Sequence, residues 1–461
     1  MLNVKIIILL NNVDKDICLL GKDIYNKLKI EDNKQYNIHL GQLKVRSAIK
    51  CNMNEEESMS FSEEVSNEIL IYDDIILNIW RKNENIYLGP VVGVFMPINY
   101  CEEIGKGAPP LEAIEHIQEA SPHERCMAYC FSVKDIDWEN NRIKGYTFRV
   151  ASNRWEYRWL PMADIIYDRI AHGNEEEKRL VKEERQNLRE NSNIRFINPE
   201  GSLGKWPLYK KLFMYDEMHK YLPETILYKS FNDIVSMLNK YNFIFIKSSM
   251  GSRGEEVFSI EKVDGKYRID FYNRKLKLVF VENLDLLKNY IDKFIIEKQK
   301  YGRVFFVVQQ GINLIKYNGH KMDFRITLEK DEYGIWEATN YYAIHSKEHS
   351  NITNYCVGGV LHLYEDVYEV LKENYKDVYI PTKDEFGKET IKVAKYIEKQ
   401  FGTYGEIGMD MAIDEDGHIW LIEGNAKPDK YRVPGIDDME GPSPQSCAIF
   451  KYSKYLAQLR K

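Results

Sequence analysis

Residues 408–425, GMDMAIDEDGHIWLIEGN, restrict the possible folds of this chain more than any other stretch. Two runs rich in Ile, Met, Leu and Trp flank Asp416-Gly417, the dipeptide that favours a two-residue type I′ hairpin turn. A turn there pairs Glu415 with His418, and counting outward sets Asp410 opposite Glu423. Alternate residues of a strand share a face, so Asn425 joins Glu423. Three oxygen-bearing side chains thus converge on one patch of sheet. Two carboxylates about 5 Å apart repel by about 3 kcal/mol at an effective dielectric of about 20, and like charges across strands destabilise a sheet. A divalent cation would relieve that conflict, and oxygen-only ligands suit Mg²⁺ or Mn²⁺ better than zinc. Taken alone, the pattern serves a metal site and a solvated hairpin face equally well. Asp414 and Asp416 read as turn residues.

The chain's 461 residues exceed one simple core, so two or three domains are expected. A formal charge of -7 argues against nucleic acid as the main partner, and 44% apolar with 29% charged residues is an ordinary globular balance. The opening MLNVKIIILLNN carries too short an apolar run for a signal-peptide core or a membrane span. A cytoplasmic protein without a membrane partner is the expectation. Seven scattered cysteines with no paired C-x-x-C spacing give neither a zinc framework nor a disulfide one. Cys126 and Cys130 lie near His123, but MAYCFSV reads as a buried strand and its thiols as buried rather than ligating.

Along the chain, residues 1–90 alternate short β-prone stretches (YNIHL, QLKVRSAI, EILIYDDIILNIW) with polar turns, and NEEESMSFSEE reads as a charged loop. A small β-rich domain is expected there. Gly89-Pro90 breaks this rhythm. From 91 to 200, strands VVGVFM, MAYCFSV, ADIIYDRI and IRFINP alternate with helices over PPLEAIEHIQEA and EEEKRLVKEERQNLRE, with a hairpin near DWENNRIKGYTFRV. That order predicts an α/β layer around a largely parallel sheet. From 201 onward the elements lengthen. FIFIK leads into SSMGSRG, then into a hairpin VFSIEKV-DG-KYRIDFYN and an amphipathic helix with Leu286, Leu287, Tyr290, Ile291, Phe294 and Ile295 on one stripe. RVFFVVQQ and MDFRITLEK read as strands, and a helix near 383–401 stops at Gly402 after a long loop.

The loop SSMGSRG, residues 248–254, is flanked by strands on both sides. Backbone N–H groups of Ser248, Ser249, Gly251, Ser252 and Gly254 are suited to cradling phosphate oxygens, with Lys247 adding a point charge. The segment matches neither Walker A nor the dinucleotide fingerprint, and a Gly-rich loop between strands is often only a flexible hairpin.

Together these features resemble the ATP-grasp superfamily, and more closely its YheC/YheD branch of bacterial proteins associated with the endospore coat. LPMADIIYDRI with the charged helix after it, RFINP, KW and VVQQGINL carry the closer likeness. The resemblance implies a three-part α/β and α+β architecture. Its parts are the small N-terminal β-rich domain (1–90), a pre-ATP-grasp α/β domain (91–200) and a two-lobed ATP-grasp module (201–461). It assigns Lys247 and the 248–254 loop as strand-end lysine and phosphate lid, with Lys205 as an upstream lysine, although Gly204 stands where the family usually has Asp. Gln309, Gln310, Gly311 and Ile312 resemble the hinge that holds adenine. Asp410, Glu423 and Asn425 resemble the magnesium ligands. In MDFRI, Asp323 and Arg325 share a strand face, with Arg325 approaching the transferred phosphate, and Asn354 in TNYCVGG resembles an Asn near the phosphates.

The resemblance further implies ATP and Mg²⁺ (or Mn²⁺) as cofactors. It also implies a carboxylate–amine ligase acting through an acyl phosphate in spore coat formation, with an unidentified acid and amine as substrates and spore coat proteins as partners. A phosphotransferase acting on a hydroxyl and a nucleotide-binding coat component with little turnover stay open. No acid or His demands the role of base, though His345 and His349 lie on a loop within reach. Lys427, Lys430 and Arg432 in AKPDKYRVPG read as a basic segment beside the metal end, for an anionic substrate or simply solvated.

Overall fold

The computed structural model describes residues 1–9, 17–32, 34–170, 175–191, 193–199, 202–249, 257–273, 275–299, 305–347, 350–430 and 440–459. The chain divides into two compact units. One holds residues 1–199, 330–335 and 429–461, and the other 200–329 and 336–428. Residues 429–461, which the sequence assigns to the ATP-grasp module, group with the first unit. The reason is apolar: the helix Pro444–Gln458 buries Cys447, Ile449, Phe450, Tyr452 and Leu456 in one cluster with Val92, Val94, Ile104 and Ile117.

The first unit begins as a closed seven-stranded barrel, which leaves no open sheet edge. Val4, Ile6, Ile38, Met59, Leu77 and Ile79 are buried in its cluster. NEEESMSFSEE is not a loop throughout. Ser58–Ser62 is a fully buried strand parallel to Leu2–Leu9, and Glu63–Glu68 is a helix capped by Ser62. Charged neighbours hid a five-residue strand whose serines pair through the backbone. An open sheet follows. Met127–Phe131, Val91–Phe95, Ile165–Asp168 and Arg195–Phe196 run parallel, and Arg142–Arg149 with Arg154–Pro161 add an antiparallel hairpin. The charged helix forms over Glu175–Glu190, and the segment from Leu111 to His123 is helical with a π-helical middle, Ile114–Ala120.

The second unit contains two antiparallel sheets. In the first, Thr225–Leu227, Phe306–Gln310, Phe243–Ser248, Val257–Val263, Lys266–Asn273 and Lys275–Val281 lie side by side in that order. Helices Phe231–Tyr241 and Leu284–Gln299 pack on it through Ile234, Leu238, Leu287, Ile291 and Ile295, while Leu286 of the expected stripe is 48% exposed. The second runs Val360–Leu363, Trp336–His345, His320–Lys330, Glu406–Ile413 and Ile419–Asn425. Behind it lie helices Lys205–Leu212, Tyr364–Asn374 and Lys383–Phe401. The last begins at a Thr382/Glu385 capping box and ends at Gly402, φ +94°. The long loop expected before it is instead largely the strand Trp336–His345 and the helix Tyr364–Asn374. No described helix is long and apolar enough to cross a membrane.

Candidate functional site

The hairpin at 408–425 reaches the expected pairing by an unexpected route. Asp416 lacks the positive φ that a type I′ turn needs. Gly417 N–H donates to the Asp414 carbonyl at 3.0 Å and Gly417 takes φ +82°, so the loop has three residues, 415–417. Asp414 secures it, accepting from the backbone of Asp416 and His418 and from Trp420 Nε1. The longer loop pairs Met411 with Leu421, one residue off the counted register. A bulge between Asp410 and Met411 cancels the slip, and Asp410 does face Glu423. Tyr209 sits at that bulge, its buried hydroxyl 2.9 Å from the Leu421 carbonyl and 2.7 Å from that of Ile422. Leu421 is buried in the core while Ile422, the extra residue, lines a cleft beside Glu423.

That cleft holds ≈ 1110 Å³ of space free of protein atoms, a figure that includes open solvent at its mouth. Lys205, Lys247, Ser248, Gln309, Gln310, Ile312, Arg325, Asn354, Asp410, Glu423 and Asn425 all line it. Three expected residues, Gly251, Ser252 and Gly254, lie outside the described residues, as do His349 and Arg432. Two others come close without lining it. Ser249 holds the start of helix Lys205–Leu212, its carbonyl and Oγ accepting from the N–H groups of Lys205 and Trp206. Gly311 N–H is already given to the Phe243 carbonyl at 2.9 Å, so it has no free donor for a ligand.

The charges inside the cleft are balanced in pairs, and this corrects the argument from carboxylate repulsion. Arg325 stands opposite Asp410 across the strands and grips it through Nε and Nη2, the latter 3.1 Å from Oδ2. Lys205 Nζ lies 3.0 Å from Glu423 Oε1. Asn425 Nδ2 reaches Asp410 Oδ2 at 3.4 Å. The two carboxylates therefore need no metal to coexist, because cations from other elements already neutralise them. Burial opposes the Arg325 charge, but Asp410 outweighs it and the guanidinium's pKa is raised.

Lys247 is the opposite case. Its Nζ donates to Gln309 Oε1 at 2.7 Å, a neutral partner. Burial and then the neighbouring Lys205 push its pKa down to about 8. Asp323, on the Arg325 face of its strand, lines the cleft and accepts from Thr353 Oγ1. Burial and then Asp410 push its pKa up to about 8. Sequence reasoning placed Asp323 beside Arg325 but missed it as the acid of the cleft with a raised pKa. It also missed the apolar part of the lining, Phe245, Val257, Leu314, Ile344, Ile352 and Ile422. Single apolar residues on six separate segments leave no local motif.

Other expectations shift. His345 is a strand residue, its Nδ1 2.8 Å from His362 Nε2, rather than part of a loop. Lys430 is buried in the first unit, its Nζ donating to the Gln445 carbonyl at 3.1 Å, so it is not a solvated basic group. Asn354 lines the cleft while its Oδ1 accepts from Cys356 N–H at 2.8 Å.

The family model described as "YheC/D like ATP-grasp" matches residues 193–456. The chain is similar to the endospore coat-associated protein YheD of Bacillus subtilis (strain 168), 23% identical over 90% of this chain and 89% of that protein. It is also similar to YheC of the same strain, 23% identical over 71% of this chain and 87% of that one. Among solved structures, the VanG D-Ala:D-Ser ligase of Enterococcus faecalis aligns over 81% of this chain and 100% of its own at 13% identity, TM-score 0.42. Since the family model spans more than half of the sequence, the chain belongs to the YheC/D-like ATP-grasp family.

Proposed function

We propose that this protein is an ATP-dependent carboxylate–amine ligase that works through an acyl phosphate and acts in spore coat formation. The observation that carries the reading is one cleft lined by three cations, three oxygen ligands and several apolar side chains. Two lysines and an arginine suit a polyphosphate, and the carboxylates of Asp410 and Glu423 with the amide of Asn425 suit Mg²⁺, a hard cation. The apolar side chains that line the cleft suit a purine, and Gln309, Gln310 and Ile312 line the same cleft. The spore-coat part rests on the names of the two Bacillus subtilis relatives.

In this reading Lys205 and Lys247 bind the phosphates and Arg325 turns from Asp410 to the phosphoryl group in transfer, with Asn354 beside it. Mg²⁺, held by Asp410, Glu423 and Asn425, supplies charge neutralisation on the phosphate oxygens. A substrate carboxylate oxygen attacks the γ-phosphorus and ADP leaves. An amine then attacks the acyl carbon, phosphate leaves and the nitrogen gives up a proton. A carboxylate is ionised at neutral pH and needs no base for the first step. The chain's contribution is placement and electrostatics rather than covalent chemistry.

Asp323 favours a second reading. A half-buried carboxyl with a pKa of about 8 lining the cleft is a candidate base for a hydroxyl acceptor, as a phosphotransferase would want. Screening acids with Mg-ATP and hydroxylamine separates the two. The ligase reading expects acid-dependent ADP release and a hydroxamate of the stimulating acid. A stable phosphoester without hydroxamate would transfer the protein to the phosphotransferases.

A further inference from the structure

The first unit carries a cluster that the nucleotide cleft does not use. His123 ends the helical segment that includes the π-helix, Glu124 follows it, and Cys447 lies in the first turn of the helix Pro444–Gln458. These three residues offer ligand atoms that all lie within 4.8 Å of one another, the one such group of His, Cys, Asp and Glu among the described residues. His123 Nδ1 is 3.2 Å from Glu124 Oε1 and 3.7 Å from Cys447 Sγ. With metal–N and metal–O bonds of about 2.0–2.1 Å and a metal–S bond of about 2.3 Å, tetrahedral zinc sets N···O near about 3.3 Å and N···S near about 3.6 Å. The observed separations match two edges of that tetrahedron.

We propose that His123, Glu124 and Cys447 form a site for one Zn²⁺ ion, with the fourth position open to solvent. One imidazole, one thiolate and one carboxylate suit zinc and exclude Mg²⁺ and Ca²⁺, which take oxygen ligands. The carboxylate is already oriented, because Lys454, on the same C-terminal helix as Cys447, holds Glu124 by its other oxygen, Oε2. Support of that kind is what a metal ligand ordinarily has. Glu124 and Cys447 are buried, whereas the His123 side chain is 60% exposed, so an ion and a water have a way in. His123 and Cys447 are 324 positions apart, and a metal between them would clip the helix Pro444–Gln458 to the helical segment that His123 ends. The Cys126, Cys130 and His123 spacing therefore misleads: Cys130 is a strand residue, and the thiol that meets His123 comes from the far end of the chain.

The test uses the full-length protein freed of metal by a chelator and titrated with Co²⁺ under excess Mg²⁺, which occupies oxygen-only sites. The site predicts a thiolate-to-cobalt charge-transfer band and visible bands of tetrahedral cobalt, saturating at one equivalent and bleached by Zn²⁺. Cys447→Ser abolishes the charge-transfer band. His123→Ala, an exposed substitution that leaves packing intact, lowers Co²⁺ affinity by more than the roughly 10–100-fold that loss of an outer partner costs. No band in the native protein, a band that survives Cys447→Ser, or unchanged affinity in His123→Ala each overturns the assignment. Should Cys447→Ser fail to fold, the His123→Ala titration decides alone.

Discussion

Replacing Asp410 with Asn should destabilise the ligand-free protein, although the substitution removes one of two facing carboxylates. The repulsion from Glu423, about 3 kcal/mol at 5 Å and a dielectric of about 20, is relieved. Against it stands the attraction to Arg325, about 4 kcal/mol at 4 Å on the same scale. The Asn side chain also keeps one acceptor where the carboxylate offered two, and a hydrogen bond to a charged group is worth about 1.5–3 kcal/mol. The two side chains are 27% and 18% exposed, so solvent screens part of each interaction. The balance is a loss of about 1–3 kcal/mol. A chain of two units need not unfold in one step, so the readout is urea unfolding followed by hydrogen exchange on strands Glu406–Ile413 and Ile419–Asn425. Pairing Asp410→Asn with Arg325→Met in a double-mutant cycle isolates the coupling. A variant as stable as the native protein, or more so, would refute the ion-pair account and show that the carboxylate repulsion outweighs the pairing.

Lys247, with a pKa near 8, should lose its proton as pH rises from 7 to 9.5, so phosphate-dependent nucleotide affinity falls across that window; Lys247→Arg, which stays charged, should give a shallower fall by calorimetry, the remainder coming from ionisation of Asp323 in the same cleft. Asp323 holds its proton in the folded state up to about pH 8 but only to about 4 when unfolded, so the native state binds more protons between these values and stability falls as pH rises through them. Asp323→Asn should gain stability over the native protein between pH 5 and pH 8, and a pH-independent difference would contradict the raised pKa of Asp323. Gly311→Ala should cost about 1–3 kcal/mol, since a Cβ there would meet the Phe243 ring at 2.2 Å, and a thermal midpoint equal to that of the native protein would show that the ring moves aside freely.

Much of the site could be read locally, and its failures are non-local. Gly402 marked the end of the helix Lys383–Phe401 from sequence, because caps are local chemistry. The dipeptide Asp-Gly occurs in two hairpins with different outcomes. At Asp264-Gly265 both residues take positive φ, +50° and +78°, and the two-residue turn forms. At Asp416-Gly417 the side chain of Asp414 binds the following backbone and selects the three-residue loop. The register survived only through a bulge where the hydroxyl of Tyr209 binds two carbonyls, 212 and 213 positions away, which no pattern within the hairpin could reveal. Arg325 was visible as a neighbour of Asp323, but its partnership with Asp410 depends on which strands pair. The strand Trp336–His345 was missed because Glu337, Ala338, Thr339 and Asn340 interrupt any apolar alternation, and position within the sheet rather than propensity makes it a strand.

The central claim is that the cleft of Asp410, Glu423, Asn425 and the two lysines takes Mg-ATP, and calorimetric titration of ATP with and without Mg²⁺ tests it most directly. The native protein should bind one ATP per chain, tighter with Mg²⁺ than with EDTA. Glu423→Gln should remove most of that magnesium-dependent gain while keeping the metal-independent part. Equal affinity in the two buffers, or a Glu423→Gln variant that keeps the full magnesium effect, would contradict the account.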